Sequence, residues 1–277
     1  MDKYVLKIKC SDQKGLIYKI STVLYENSLN IEKNSEFVDD ESEKFFFRAR
    51  LDGQIDAQKI KSELQAVMPS DASIVLKKKV KKNIVILATK ESHCLGDILL
   101  KHDSGELNAN ILCVVSNHDT LRALCERFEV EYHTVLSQDL SRVKHEKRVS
   151  EILSNYEIDY LVLAKYMRIL SQEFVSAYEQ KIINIHHSFL PAFIGANPYK
   201  QAYNRGVKII GATAHFVNNN LDEGPIIAQD VISVNHEQSW KDMQKAGRNV
   251  EKVVLSNALD LVFDERIFIH QNKTIIF

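Results

Sequence analysis

The sequence predicts an α/β protein with two domains, and three observations support this. The first 80 residues contain strand-like and helix-like segments in the order βαββαβ. Beyond residue 82, continuous apolar runs alternate with segments of helical period. Such runs are typical of parallel strands buried on both faces, with helices between them. A length of 277 residues also suits two domains.

The N-terminal domain is predicted from short patterns. Residues 4–10 alternate apolar and polar side chains, as a half-buried strand does, and a helix follows whose apolar residues begin at Leu16. Residues 29–38 and 44–51 are predicted strands joined by an acidic hairpin loop. A helix at 55–68 and a strand at 72–76 complete a ferredoxin-like unit.

Two stretches of this domain resemble the ACT domain family: D-Q-K-G-L at residues 12–16 and N-S-L-N-I at residues 27–31. The resemblance implies a regulatory or oligomerisation domain over residues 1–82, and a homo-oligomer, either a dimer or a tetramer. It also implies a candidate amino-acid effector site at Asp12, Gly15, Leu16, Asn27 and Ile31. The alternative is that Gly15 supplies only a turn and the domain only a pairing surface.

The composition narrows the classes of partner. The formal net charge is −1, so the overall charge of the chain does not indicate nucleic acid binding. The basic run at residues 77–82 lacks interleaved aromatic residues, and we interpret it as a solvated linker between the domains. No apolar run reaches the roughly 20 residues of a membrane span. The four dispersed cysteines favour a reducing cytoplasm.

The C-terminal domain is predicted to be doubly wound around a mostly parallel sheet. Its predicted strands cover residues 83–88, 110–116, 132–136, 160–164, 182–186, 209–216 and 226–232. Its predicted helices include residues 121–128, 141–154, 171–178 and a long one at 239–263, and a terminal hairpin is expected at 266–269 and 274–277. The loop at residues 89–96 lacks a G-x-G-x-x-G pattern, so a dinucleotide cofactor is disfavoured and no cofactor is expected.

A candidate catalytic site follows the strand at residues 182–186. Asn184 and His186 are two residues apart, so both side chains leave the same face of that strand. They are suited to polarise a carbonyl oxygen as it becomes an oxyanion, while Asp222 is the best candidate to hold a nucleophile and His215 to brace it. The residues alone leave two alternatives open. In one, His186 is a structural histidine; in the other, a zinc ion binds His186, His187 and His215, although the spacing does not favour a metal.

N-I-H-H-S-F-L-P at residues 184–191, with His215 and L-D-E-G-P at 221–225, resembles the folate-dependent formyltransferase family. That family has N-x-H-x-S-x-L-P followed by H-x-x-x-x-x-x-D-x-G-P. The resemblance implies a catalytic domain over residues 83–277, with Asn184, His186 and Asp222 catalytic. It further implies that Thr213 and His215 support them and that a loop binds the folate, which is a substrate, through Met167, Arg168, Ile169 and Leu170.

Three features favour a hydrolytic branch of that family. An ACT-like domain comes first, His187 stands where transferases for glycinamide ribonucleotide usually have proline, and the loop at 89–96 is not glycine-rich. The resemblance therefore implies that water accepts the formyl group of 10-formyltetrahydrofolate, releasing tetrahydrofolate and formate for purine synthesis. Two alternatives remain, a formyltransferase with another amine acceptor and a regulatory protein that only binds folate.

Overall fold

A computed structural model describes residues 3–192 and 197–277. The described chain divides into two compact units. The first runs up to Val80 and also includes Asp264–Phe268 and Ile275–Phe277, and the second comprises Lys81–Phe263 and Ile269–Thr274. The sequence-based division at residues 82 and 83 assigned the whole C-terminal end to the second domain, whereas here that end is shared between the units.

The first unit has the predicted βαββαβ order. Its elements are β1 (Lys3–Ser11), α1 (Leu16–Glu26), β2 (Asn30–Asp39), β3 (Lys44–Asp52), α2 (Ala57–Val67) and β4 (Ser73–Lys78). The four strands form one antiparallel sheet in the order β2-β3-β1-β4. This is the ferredoxin-like arrangement expected from the sequence, which confirms the predicted fold of this region.

Alternating burial explains why this sheet has one covered face. Leu6 and Ile8 on β1 are fully buried, and they pack in one cluster with Ile20 of α1 and Leu64 of α2. Alternate side chains of a strand point to the same face of the sheet, and the apolar side chains of each helix lie along one side. All four side chains therefore point into the space between the sheet and the helices. The two helices therefore cover the face of the sheet that the sequence pattern marks as apolar.

Arg48 of β3 explains why the end of the chain belongs to the first unit. Its guanidinium donates to the backbone carbonyls of Asp264, at 2.7 Å, and of Glu265, at 2.9 Å. Arg48 is 6% exposed, so these bonds satisfy a buried charge. Nothing in the local sequence pattern indicated this long-range pairing.

The predicted linker is shorter than expected. Lys77 and Lys78 lie in β4, and Lys82 opens the next strand and is buried, so only residues 79–81 lie between these two strands. The interpretation of the whole run 77–82 as a solvated linker was therefore wrong at both ends. Lys77 and Lys78 are exposed, because a lysine can place its aliphatic stem along a strand while its ammonium group stays in water.

The second unit alternates strands and helices as predicted. Its elements are β5 (Lys82–Ala88), α3 (His93–Asp103), β6 (Ala109–Ser116), α4 (Arg122–Arg127), β7 (Tyr132–Thr134), α5 (Arg142–Leu153), β8 (Tyr160–Ala164), α6 (Gln172–Ala177), β9 (Ile182–His186), α7 (Pro198–Arg205), β10 (Ile209–Phe216), β11 (Ile226–Ser233) and α8 (Trp240–Phe263). The chain ends in a hairpin of β12 (Ile267–His270) and β13 (Lys273–Ile276).

Seven strands form the central sheet, in the order β11-β10-β9-β8-β5-β6-β7. The strands from β5 to β9 run parallel, and β10 and β11 are antiparallel. Residues on both faces of β5 and β8 are fully buried, with α5 and α6 packed in one core cluster and α8 against β9, β10 and β11. The prediction of a mostly parallel α/β sheet is confirmed.

The chain order places a switch point in this sheet. It moves outward from β5 through β6 to β7 and then returns to the other side of β5 as β8. Loops leaving β5 and β8 therefore diverge and open a crevice at their carboxyl ends, where ligands bind in open α/β sheets.

Two local features differ from the sequence expectation and one agrees with it. Helix α7 was not predicted, and β7 is shorter than the expected strand at 132–136. The start of α8 agrees with the expected helix at 239–263, because Ser239 and Asp242 form a capping box in which the side chain of each accepts from the backbone N–H of the other, at 2.9 and 3.3 Å. Within the described residues, no helix combines the length and apolar character needed to span a bilayer.

Candidate active site

Asn184 and His186 project from β9 into one cavity of about 350 Å³. β9 enters the sheet as a buried strand, with Ile182 and Ile183 fully buried, and reaches its carboxyl end at His186. His186 is buried and Asn184 half-buried. The two-residue spacing thus places an amide and an imidazole on the same wall, as the sequence predicts.

Strand β10 supplies the second row of this wall. In the antiparallel register, His215 lies opposite Asn184 and Thr213 lies opposite His186. Thr213 is fully buried; its hydroxyl donates to the carbonyl of Ser188, at 2.9 Å, and accepts from the N–H of Leu190, at 3.0 Å. Thr213 therefore holds the chain that leaves His186, a structural basis for its expected supporting position.

The hydrogen bonds of His215 determine the orientation of the Asn184 amide. His215 Nδ1 lies 2.9 Å from the carbonyl oxygen of Phe216, which can only accept, so Nδ1 carries the proton. Burial lowers the pKa of His215, so its ring is neutral at pH 7 and Nε2 is an acceptor. Asn184 Nδ2 donates to that atom at 3.2 Å, which leaves its second N–H for the cavity.

Asp222 reaches the same site from the loop after β10. Its Oδ1 lies 3.3 Å from His186 Nδ1 and 3.8 Å from His215 Nε2. His215 thus bonds Asn184 more closely than it approaches Asp222, and its expected bracing of Asp222 stays a prediction. Gly224 permits the sharp loop, because a Cβ at that position would overlap the carbonyl oxygen of Phe216.

The electrostatics keep the Asp222 carboxylate ionised. Burial raises its pKa, but the hydrogen bond and electrostatic interaction with His186 outweigh that effect and leave the pKa below its ordinary value. His186 then holds Nδ1 toward Asp222, while its Nε2 is buried without a hydrogen-bond partner in the described chain. A buried, unpartnered ring nitrogen is suited to bind a substrate oxygen.

The loop after β8 forms the opposite side of the cavity. All four residues expected to bind folate, Met167, Arg168, Ile169 and Leu170, line it. The backbone N–H of Met167 donates to Thr89 Oγ1 at 3.0 Å, which ties this loop to the one that follows β5. Met167 and Ile169 are more than half exposed, so apolar surface is available there for a flat ligand.

A buried ion-pair cluster beside the cavity was missed by the sequence reasoning. Glu251 Oε2 lies 3.2 Å from Lys165 Nζ and 2.7 Å from His93 Nε2, and Tyr199 donates to its other oxygen at 2.5 Å. Burial raises the pKa of Glu251, but these partners lower it to about 2. The available signals were Lys165 directly after a buried strand and Glu251 on the apolar stripe of α8.

Within this cluster, His93, Cys94 and Glu251 have ligand atoms within 4.8 Å of one another. A cation there would compete with the Lys165 ammonium, which lies 3.2 Å from the same carboxylate oxygen. Burial also raises the pKa of the Cys94 thiol, which disfavours the thiolate that binds metals. The donor set therefore suits a hydrogen-bonded ion pair better than a metal ion.

The residues of the candidate effector site have different local roles. Leu16 is a core residue, and Gly15 precedes α1 with φ of 89°, a left-handed conformation that favours glycine. The Asn27 side chain bonds a backbone carbonyl of the last turn of α1, at 2.9 Å. Asp12 is exposed and Ile31 half-buried. Leu16 and Asn27 thus have structural roles whether or not an effector binds.

Family models match both parts of the chain. An ACT domain model matches residues 4–67, and a formyl transferase model matches residues 82–259. A crystal structure of a glycinamide ribonucleotide transformylase from Symbiobacterium toebii superposes with a TM-score of 0.68 and 27% identity, covering 74% of this chain and 98% of that one. The sequence resemblances to both families are thereby confirmed.

Relatives named formyltetrahydrofolate deformylase match the whole chain. The protein of Haemophilus influenzae is 52% identical, covering 100% of this chain and 99% of its own, and that of Bacillus subtilis is 44% identical, covering 100% and 94%. A crystal structure of such a deformylase from Pseudomonas syringae pv. tomato has a TM-score of 0.95 and 37% identity, covering 100% and 95%. The chain therefore belongs to the formyltetrahydrofolate deformylase family.

Proposed function

We propose that this protein hydrolyses 10-formyltetrahydrofolate to tetrahydrofolate and formate. One observation carries the proposal. Asn184, His186 and Asp222 converge on one cavity, in a chain related over its full length to deformylases. The reaction breaks a C–N bond of an amide, which needs stabilisation of an oxyanion and a positioned water.

Asn184 and His186 stabilise the formyl oxygen. The free N–H of Asn184 and the unpartnered Nε2 of His186 supply donors on the wall of one cavity, and Asp222 orients the His186 ring at Nδ1. As water attacks the formyl carbon, its oxygen gains negative charge. Donors fixed in advance stabilise this charge without reorganisation, and each contributes about 10²-fold or more to the rate.

Asp222 holds the attacking water through its ionised carboxylate. A carboxylate with a lowered pKa is a weak base, so its main task is to orient the water while it holds the His186 ring at Nδ1. Collapse of the tetrahedral intermediate breaks the bond from carbon to N10. One proton of the water passes to N10, and the formic acid formed loses the other to solvent.

The acceptor is water because the loop after β5 is unsuited to a phosphate. Glu91 in this loop lies 3.5 Å from His93 Nδ1 and 3.2 Å from Arg248 Nε. A carboxylate occupies the region where a glycine-rich loop would present backbone N–H groups to a phosphate. This arrangement supports hydrolysis over transfer to a ribonucleotide.

The N-terminal unit is proposed to be an ACT-type module over residues 1–82 that regulates or pairs a catalytic domain over residues 83–277. An ACT domain model matches most of this unit, which fits an amino-acid effector. A dimer or tetramer and a cytoplasmic location are proposals of the same kind. Sedimentation with and without amino acids tests the pairing.

Formate release from 10-formyltetrahydrofolate, measured with no other acceptor present, tests the main proposal. Asn184→Ala should lower kcat about 10²-fold or more while the protein stays folded. Asn257→Ala, on the exposed face of α8, is the matched control and should retain full activity. Formate released only when an amine acceptor is added would instead identify a transferase. Tight folate binding without turnover would identify a regulatory binder.

A further inference from the structure

The loop that carries Asp222 lies between two cavities. Asn218 and Asn219 line the candidate active site and also a further cavity of about 320 Å³, which Gln271 and Asn272 in the turn of the terminal hairpin line as well. Residues that border a cavity lack some of the neighbours that would otherwise fix their position. The position of this loop therefore depends on hydrogen bonds more than on dense packing.

The backbone of the loop adopts a conformation that needs support. Asp222 has a φ of 57°, in the left-handed region that residues with a Cβ adopt only at a cost in free energy. The next residue, Glu223, is exposed, and its N–H donates to the carbonyl of Asn220 over a long distance of 3.4 Å. Such a conformation persists only where the surrounding groups determine it, so contacts from outside the loop affect where Asp222 points.

The tip of the terminal hairpin supplies two such contacts. Asn272 Nδ2 donates to the carbonyl oxygen of Glu223 at 2.7 Å, and Thr274 Oγ1 donates to the carbonyl oxygen of Ile226 at 2.6 Å. The two bonds hold the backbone on both sides of the G-P dipeptide that leads into β11. Residues 269–274 belong to the same compact unit as this loop, so the contacts lie within one unit.

We propose that Asn272 is a positioning residue for the hydrolysis, assisted by Thr274, and that it keeps the Asp222 carboxylate in place by fixing the carbonyl of Glu223. The inference rests on the proposed function. Asp222 Oδ1 lies 3.3 Å from His186 Nδ1, so a small rotation of the loop backbone would move it out of hydrogen-bonding range. A displacement of about 1 Å in a reacting group can lower a rate by about 10²-fold.

Substitutions in the hairpin test this role. Asn272→Ala removes the donor, and Asn155→Ala is the matched control, because the exposed Asn155 after α5 also donates to a backbone carbonyl, that of Glu151, at 3.2 Å. Thr274→Val removes the second donor, whereas Thr274→Ser keeps it. Single-turnover formate release, equilibrium binding of folate and amide hydrogen exchange over residues 217–226 are measured for each variant.

We expect Asn272→Ala to lower the single-turnover rate about tenfold or more, with folate affinity within about threefold of wild type. Thr274→Val should lower the rate by a smaller factor, and Thr274→Ser should restore it. Hydrogen exchange in the loop should become about tenfold faster in Asn272→Ala, because the loop opens more often, and should stay unchanged in Asn155→Ala. An unchanged rate in Asn272→Ala would overturn the inference.

Double variants distinguish the positioning of Asp222 from a general loosening of the fold. If Asn272 acts through this carboxylate, Asn272→Ala should lower the rate less than about twofold in an Asp222→Asn background. It should keep its full effect in an Asn184→Ala background. An equal loss in both backgrounds would overturn the inference while wild-type turnover left the proposed function standing. A wild-type protein that releases no formate would overturn the proposed function and this inference together.

Discussion

Replacing Asp222 by asparagine tests the candidate active site most directly. The substitution keeps the shape of the side chain and removes its charge, which lies 3.3 Å from His186 Nδ1. At an effective dielectric constant of about 20, two unit charges at that distance attract by about 5 kcal/mol before competition from solvent. Each factor of ten in rate corresponds to about 1.4 kcal/mol, so this attraction sets an upper limit of about 10³- to 10⁴-fold.

We therefore expect Asp222→Asn to lower kcat by about 10²- to 10⁴-fold, with folate affinity within threefold of wild type. Single-turnover formate release measures the chemical step, and equilibrium binding of a folate measures affinity. Glu223→Gln is the matched control, since it makes the same change in charge at the adjacent, exposed position. Full turnover in Asp222→Asn, or a loss explained entirely by weaker folate binding, would refute the role assigned to this carboxylate.

Three further predictions concern stability and the loops that hold the site. Thr213→Val leaves the polar groups of Ser188 and Leu190 unpaired and should lower the free energy of unfolding by about 1–3 kcal/mol in a denaturant titration, whereas Thr120→Val on the surface should change little. Glu251→Gln should destabilise by about 3 kcal/mol at pH 7. Because its pKa is lowered to about 2, the stabilisation by Glu251 exists above the ordinary value near 4.5 and is lost as pH falls toward 2. Melting temperatures of the wild type and this variant should thus converge over that range, and a constant difference would contradict the assignment. Gly224→Ala should abolish soluble, active protein, while Gly96→Ala inside α3 should keep full formate release and gain up to about 1 kcal/mol. A defect in Gly96→Ala would indicate a ligand that approaches that backbone.

Much of the fold could be predicted because hydrophobic periodicity is a local property. The alternation of apolar and polar residues in β1 and the continuous apolar run of β5 can be recognised from neighbouring residues. The same holds for the residues that cap α8. Helix α7 was missed because its first residues, with Pro198 at the start, carry little apolar pattern. Its position depends on packing against α8, which the local sequence does not reveal.

The candidate site likewise contains residues that the sequence predicts and residues that it does not. Asn184, His186 and Asp222 were identified from spacing and motif, because a strand end delivers alternate side chains to one face. The cluster of Lys165, Glu251 and His93 was not, since its members lie on three elements distant in sequence. A buried charged residue can be recognised only when the groups that compensate its charge are known, and these lie far away in the sequence.

The sequence by itself determined the two folds, the family and the side chains that we propose to meet the formyl group. The tertiary structure decided which hydrogen bonds these side chains make and which of them carry a charge. Both depend on atoms that strand register brings together from distant parts of the chain. The structure showed that His215 orients Asn184 more closely than it approaches Asp222. It also showed that Asn272 of the terminal hairpin bonds the loop of Asp222 at Glu223, since residues 49 positions apart in the sequence meet only in the folded chain.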